Sequence, residues 1–304
     1  MAKHMLSLIM GLALLQVSSS ASAKFNRLEA FGDNPGALTA SYLPARATNR
    51  PLVVLLHGCS QNGEQFSRQS GFFKQATMHD FNLLLPQQNS DNHENLCFNW
   101  YSEGDYKKGK GEHLSLINMI LATQKTTKSN GTYIAGLSAG GAMANILLLS
   151  SPDIFAGGAI IAGIPFPCAR DLSSALNCMK QGMSSYQAIP QRLAKQGQPL
   201  PKISIWTGMQ DKIVSPINTL QIAKQWRDYH QTEQEIKTKA ESWNKTTWLD
   251  PSQVAQVELI EIEQMTHGIA VNSTIKGGGT PAPYLLEAPI SAATDIIDFW
   301  QIRN

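Results

Sequence analysis

Ser138 stands in Gly136-Leu137-Ser138-Ala139-Gly140, directly after the run Thr132–Ala135 and directly before the small and aliphatic stretch Ala139–Ser150. Small residues on both sides let a chain pass from strand to helix in one tight turn. A serine at the apex of that turn projects its hydroxyl outward, beside the free N–H groups of a helix start. The chemistry this suggests is attack on a carbonyl, with the developing negative charge held by backbone donors. A serine hydroxyl is a weak nucleophile without a base, and in sites built on this turn the acid and then the base follow the nucleophile in the chain. Of the seven histidines, His57, His79, His93 and His113 come too early, and His4 lies in an N-terminal apolar segment. His230 sits in a charged, helix-like stretch and reads as a solvated side chain. His267 follows the apolar run Val257–Ile262, and a loop at the end of a strand is where such a site is built. His267 is therefore the expected base. The expected acid is Asp211, which follows Lys202–Thr207 through Gly208-Met209-Gln210, whereas Asp228 and Asp250 follow no strong strand. A carboxylate there accepts from one imidazole nitrogen, fixes the tautomer and stabilises the imidazolium.

The same chemistry needs donors for the oxyanion. The Ala139 N–H, next after the nucleophile, is one candidate. The other is the Cys59 N–H, with Ser60 in reserve, from the loop His57-Gly58-Cys59-Ser60-Gln61. The His57 side chain is expected to hold that loop.

The elements that must position these residues alternate along the chain. Strands are expected at Pro51–Leu56, at Phe81–Leu85 (stopped by Pro86), and at Thr132–Ala135, Ala156–Ala162, Lys202–Thr207 and Val257–Ile262. Leu114–Thr123, Ala139–Ser150 and Ser291–Gln301 carry helical spacing. Continuous apolar strands separated by helices imply a parallel sheet covered on both faces, an α/β fold. Pro165–Pro201 and Gln231–Gln256 are polar and fit neither pattern; both read as insertions over the strand ends, shaping a cleft or merely decorating the surface.

Lys3 and His4, the apolar run Met5–Val17 and the small residues ending Ala21-Ser22-Ala23 read as a secretory signal peptide over residues 1–23. The run is too short for the roughly 20 apolar residues of a spanning helix. Residues 24–304 are enough for a single catalytic domain. A net charge of +2, with no basic block, argues against a nucleic-acid or membrane-surface partner. The spacings show no metal site, and the chemistry calls for no cofactor. The oligomeric state is not encoded legibly. The four cysteines suggest disulfides in an exported chain, secreted or periplasmic. Three pairings are possible. Cys168–Cys178, closing a short loop, and Cys59–Cys97, tying two loops beside the proposed site, are favoured over free thiols.

At this point the sequence resembles the polyhydroxybutyrate depolymerase-type esterases of the α/β-hydrolase superfamily. The matching stretches are Phe31 to Gly36 (FGDNPG), Leu56 to Gln61 (LHGCSQ), Cys97 to Trp100 (CFNW), Gly136 to Met143 (GLSAGGAM), Asp211 to Asn218 (DKIVSPIN), His267-Gly268 and Ile296 to Trp300 (IIDFW). The resemblance implies an exported esterase acting on short-chain hydroxyalkanoate esters, polymer or oligomer. It gives Ser138, Asp211 and His267 the triad roles, supports Cys59 in the oxyanion hole, and places Trp100 near the substrate cleft, where it stacks on an ester chain or serves as a core aromatic. Gly208-Met209-Gln210 and Thr266-His267-Gly268-Ile269 depart from the family's usual pattern around the acid and base, and the polymer-binding domain common in exported depolymerases has no counterpart here. These departures leave soluble oligomers and other short-acyl esters as substrates too. A carbohydrate esterase of the feruloyl or acetylxylan type is the alternative enzyme, and a non-catalytic exported binding protein the alternative from another class.

Overall fold

The structure, a computed structural model, describes residues 24–189 and 200–303. The expected signal peptide, and the part of the Pro165–Pro201 stretch from 190 to 199, lie outside the described residues. The strands are β1 (Asn26–Arg27), β2 (Thr39–Leu43), β3 (Leu52–Leu56), β4 (Asn82–Gln87), β5 (Thr132–Leu137), β6 (Gly157–Ile161), β7 (Lys202–Gly208), β8 (Gln234–Lys239), β9 (Trp243–Leu249), β10 (Ala255–Ile262), β11 (Ile269–Val271) and β12 (Leu285–Glu287). The helices are α1 (Gly63–Gln69), α2 (Phe72–His79), α3 (Glu103–Tyr106), α4 (Gly111–Thr127), α5 (Ala139–Ser150), α6 (Leu172–Gln181), α7 (Pro216–His230) and α8 (Ala292–Phe299).

Ten strands form one sheet in the order β1-β2-β4-β3-β5-β6-β7-β10-β9-β8. The six central strands from β4 to β10 run parallel, and the two at each edge are antiparallel. Along β3 the side chains alternate between two cores. Leu52, Val54 and Leu56 join Met119, Met143, Leu147 and Trp226 on one face. Val53 and Leu55 join Phe66, Phe72, Ile296 and Trp300 on the other. Burial on both faces is why the central strands read as unbroken apolar runs. Helix α5 is buried at every position from Ala139 to Leu149, which explains a sequence apolar all round.

Two expectations need correction. Gln231–Gln256 is not an insertion over the strand ends: half of it forms β8 and β9, an antiparallel pair that extends the sheet beyond β10. All six residues of β8 are exposed, and an edge strand with so little to bury carries little apolar signal. Pro86 does not stop β4, which continues to Gln87. The ladder with β3 ends at Leu84, so the N–H that proline lacks falls beyond it.

Candidate active site

The loops after β3, β5, β7 and β10 meet at the carboxyl end of the sheet. Between β3 and β5 the strand order reverses, so the connections diverge and leave a crevice there. Ser138 occupies the turn from β5 to α5 with φ 57° and ψ −116°, a conformation L-residues rarely adopt. Its N–H donates to Ile161 O at 2.9 Å, and its carbonyl accepts from Ala142 N at 2.9 Å, so both neighbouring elements hold the turn. Glycine is required on either side by close approach. A Cβ on Gly136 would strike the Gly140 carbonyl, and one on Gly140 would lie 2.5 Å from both Leu56 O and His57 O.

His267 Nε2 lies 2.9 Å from Ser138 Oγ, and His267 Nδ1 lies 2.6 Å from Asp211 Oδ2. An ionised carboxylate only accepts, so Nδ1 carries the proton and Nε2 is left to accept from the serine. The other oxygen of Asp211 accepts from the N–H groups of Ile213 (2.8 Å) and Val214 (2.9 Å), and the side chain is wholly shielded from solvent. The acid and base loops are joined through backbone. Met209 N donates to Ile262 O and Gln210 N to Met265 O, each at 2.9 Å. Gly208 packs so tightly on the carbonyls of Met265 and Thr266 that a Cβ has no room. The structure thus brings the three expected residues into one hydrogen-bonded chain, and it leaves His230 elsewhere, 3.0 Å from Pro201 O.

In the loop after β3, Gly58 N donates to Gln61 Oε1 (2.8 Å), Ser60 N to Asn95 O (2.8 Å) and Gln61 N to Gly58 O (3.3 Å). The Cys59 N–H has no partner among the described residues, nor does that of Ala139 at the first turn of α5. Ser60, the reserve donor, is already committed. The His57 side chain is fully buried; its Nδ1 donates to Gly58 O at 2.7 Å and its Nε2 accepts from Gln88 N at 3.2 Å. Burial holds its pKa down to about 4, so the ring stays neutral and holds the loop. Both favoured disulfides, Cys59–Cys97 and Cys168–Cys178, are present.

A cleft of about 160 Å³ opens over Ser138 and His267, lined also by Cys59, Leu137, Met179, Ile213 and Tyr284. Met179 comes from α6, so part of Pro165–Pro201 does shape the cleft. Sequence reasoning missed Met179, Ile213 and Tyr284; only closeness in the chain to Cys178 and to Asp211 could have marked the first two. Trp100 is 7% exposed, packed in the core edge-on to Tyr101, and does not line this cleft. The indole joins instead the core on the sheet face that carries Leu52, Val54 and Leu56. Among the described residues no group of three or more His, Cys, Asp or Glu side chains could hold a metal ion.

Comparison with known proteins agrees with this architecture. The family model described as esterase PHB depolymerase matches residues 23–232. The chain is 34% identical over 305 residues to poly(3-hydroxyalkanoate) depolymerase C of Paucimonas lemoignei, covering 95% of this chain and 73% of that protein. It is 28% identical over 222 residues to feruloyl esterase B of Talaromyces funiculosus, covering 67% of this chain and 62% of that one, a little under two thirds of its length. The solved acetyl xylan esterase from Aspergillus awamori superposes with a TM-score of 0.73 over 92% of this chain and 99% of that one, at 18% identity, a likeness of fold. With an α/β-hydrolase sheet beneath a strained serine and a match across most of its length, the chain belongs to the esterase PHB depolymerase family and is a carboxylic ester hydrolase.

Proposed function

We propose that the chain is an exported serine esterase that hydrolyses short-chain hydroxyalkanoate esters, poly(3-hydroxybutyrate) or its oligomers, through Ser138, His267 and Asp211. The observation that carries the chemistry is the unbroken chain from Ser138 Oγ through His267 to Asp211, at 2.9 and 2.6 Å. His267 Nε2 takes the Ser138 proton as Oγ attacks the ester carbonyl. The carbonyl oxygen becomes an oxyanion and accepts from the N–H groups of Cys59 and Ala139. His267 returns the proton to the leaving alcohol, giving an acyl-enzyme, and then activates the water that releases the acid. The substrate assignment is supported by the likeness to depolymerase C. Export is supported by the expected leader over residues 1–23 and by the two disulfides. No helix among the described residues is long and apolar enough to cross a membrane.

A carbohydrate esterase is the second reading, favoured by one observation. A groove of about 310 Å³ adjoins the catalytic cleft through Ser60 and Gln61 and is lined by Asn62, Gln65, Gln69 and Gln87, with no charged side chain. Neutral amides both donate to and accept from the hydroxyls of a sugar chain, whereas an ester chain offers them acceptors alone. The test is release of 3-hydroxybutyrate from amorphous granules and from short oligomers, beside release of acetate and ferulate from xylan esters, by the mature chain and by Ser138→Ala. Loss of all release in Ser138→Ala is expected. Hydroxybutyrate release supports the first reading, and release from the xylan esters alone replaces it with the second. Activity surviving in Ser138→Ala refutes both.

A further inference from the structure

Glu112, in the first turn of α4, is fully buried and has no ion-pair partner among the described residues. An unpaired buried carboxylate is costly unless hydrogen bonds surround it. Four do. Glu112 Oε1 accepts from Gln88 Nε2 (2.6 Å), Asn92 Nδ2 (2.8 Å) and Asn99 Nδ2 (2.8 Å), and Oε2 accepts from Asn99 N (2.8 Å). All four partners are donors in the segment from 88 to 99, so the site calls for a group that only accepts. Burial nevertheless pushes the carboxyl up to about 7, with Asp105 adding to the rise.

The segment so gathered grips the loop after β3 at three points. Gln88 N donates to His57 Nε2 at 3.2 Å, Asn95 O accepts from Ser60 N at 2.8 Å, and Cys97 is bonded to Cys59. Gln88 Nε2 also donates to Cys97 O at 3.0 Å. The one N–H this arrangement leaves uncommitted between Gly58 and Gln61 is that of Cys59. Among the described residues no hydrogen bond takes up the Cys59 N–H, and the segment that grips its loop is tied to one carboxylate through Gln88, Asn92 and Asn99.

We propose that Glu112 is a positioning residue for ester hydrolysis, fixing the segment from 88 to 99 so that the Cys59 N–H is aimed at the oxyanion. The inference rests on the catalytic roles given above to Ser138 and Cys59. An oxyanion donor acts on the transition state and on tetrahedral adducts far more than on bound substrate. A residue that merely supports the fold would not separate the two.

The test uses Glu112→Gln, which keeps the shape but turns an NH₂ toward donors, and Gln88→Met, which removes the Gln88 amide and keeps its backbone bond to His57. Both are measured beside Ser138→Ala for kcat and KM on p-nitrophenyl butyrate, and for inhibition by butylboronic acid, which forms a tetrahedral adduct on the serine. Folding is followed by circular dichroism. Folded Glu112→Gln is expected to lose kcat about 10- to 100-fold, with KM within about twofold of wild type and boronate binding weakened by a similar factor to kcat. Gln88→Met is expected to lose kcat about fivefold in the same pattern. If Glu112→Gln does not fold, Gln88→Met decides. A folded variant with kcat and boronate affinity within twofold of wild type overturns the inference alone. So does a loss of kcat that leaves boronate affinity untouched. Activity persisting in Ser138→Ala overturns the triad reading and this inference with it.

Discussion

Asp211→Asn replaces one carboxylate oxygen by an amide nitrogen, and the surroundings decide which one. Oδ1 accepts from Ile213 N at 2.8 Å and Val214 N at 2.9 Å, while Oδ2 faces His267 Nδ1 at 2.6 Å. An amide nitrogen turned toward the two backbone donors would leave both unsatisfied in a buried site, at about 1–3 kcal/mol each. A preference of at least about 2 kcal/mol keeps the oxygen there in some 97% of molecules, roughly thirty to one. The amide N–H then points at His267 Nδ1, which must accept, and the imidazole proton moves to Nε2. That nitrogen faces Ser138 Oγ at 2.9 Å and can no longer take its proton. The fold is kept because every backbone donor keeps its acceptor. The expected result is a loss of about 10⁴ in kcat, about 5 kcal/mol of transition-state stabilisation, with KM little changed. The assay is steady-state hydrolysis of p-nitrophenyl butyrate at pH 8, with far-UV circular dichroism to confirm folding. A folded Asp211→Asn enzyme losing less than about 100-fold would show that His267 takes its tautomer from something other than Asp211, and the reasoning would fail.

Two further outcomes follow from packing and burial. Gly140→Ala places a methyl 2.5 Å from the carbonyls of Leu56 and His57, both backbone, so α5 must shift away from β3 and carry Ser138 with it; a destabilisation of about 3 kcal/mol in urea unfolding is expected, and a loss under about 1 kcal/mol would show that the turn has slack. His113 is buried, accepts from Gly109 N and meets Ser150 Oγ at 2.8 Å, and burial holds its pKa down to about 4 from 6.5. The unfolded chain binds this proton more tightly, so the stability His113 gives as a neutral ring is full above pH 6.5 and lost as pH falls toward 4. Relative to His113→Gln, wild type should therefore lose on the order of 3 kcal/mol across that window, read from urea midpoints at pH 7.5, 5.5 and 4.5, and parallel curves for the two proteins would contradict the assignment.

What the sequence made legible follows from where each signal originates. The meeting of Ser138, Asp211 and His267 was readable because its constraints are local: a serine needs small neighbours to make its turn, and an acid and a base must each follow a strand. The central strands were readable because burial on both faces leaves unbroken apolar runs such as Leu52–Leu56. Strands β1, β2, β8 and β9 were not found, because edge strands are half solvated and their pattern fades. Trp100 was open between cleft and core, and its burial in the core cluster edge-on to Tyr101 decides for the core. Glu112 gave no sign at all. An acid in a first helical turn is ordinary, and its burial depends on the fold of a segment up to 24 residues earlier in the chain.

Each group proposed for catalysis is held by close backbone contacts. The Ser138 turn is fixed by Gly140 lying against the carbonyls at the end of β3. The Asp211 and His267 loops are fixed by Gly208 and by the hydrogen bonds that Met209 N and Gln210 N donate to Ile262 O and Met265 O. The Cys59 loop is fixed by a disulfide and by donors that end on Glu112. The cleft walls Met179, Ile213 and Tyr284 make no hydrogen bond from their side chains to the triad, and Ile213 and Tyr284 are partly exposed, at 39% and 44%. Backbone holds the three side chains in register, while of the walls Tyr284 meets the His267 ring edge-on. On the proposed chemistry, the choice between a hydroxyalkanoate oligomer and an acylated sugar would lie in the cleft walls and the amide groove rather than in Ser138, His267 and Asp211.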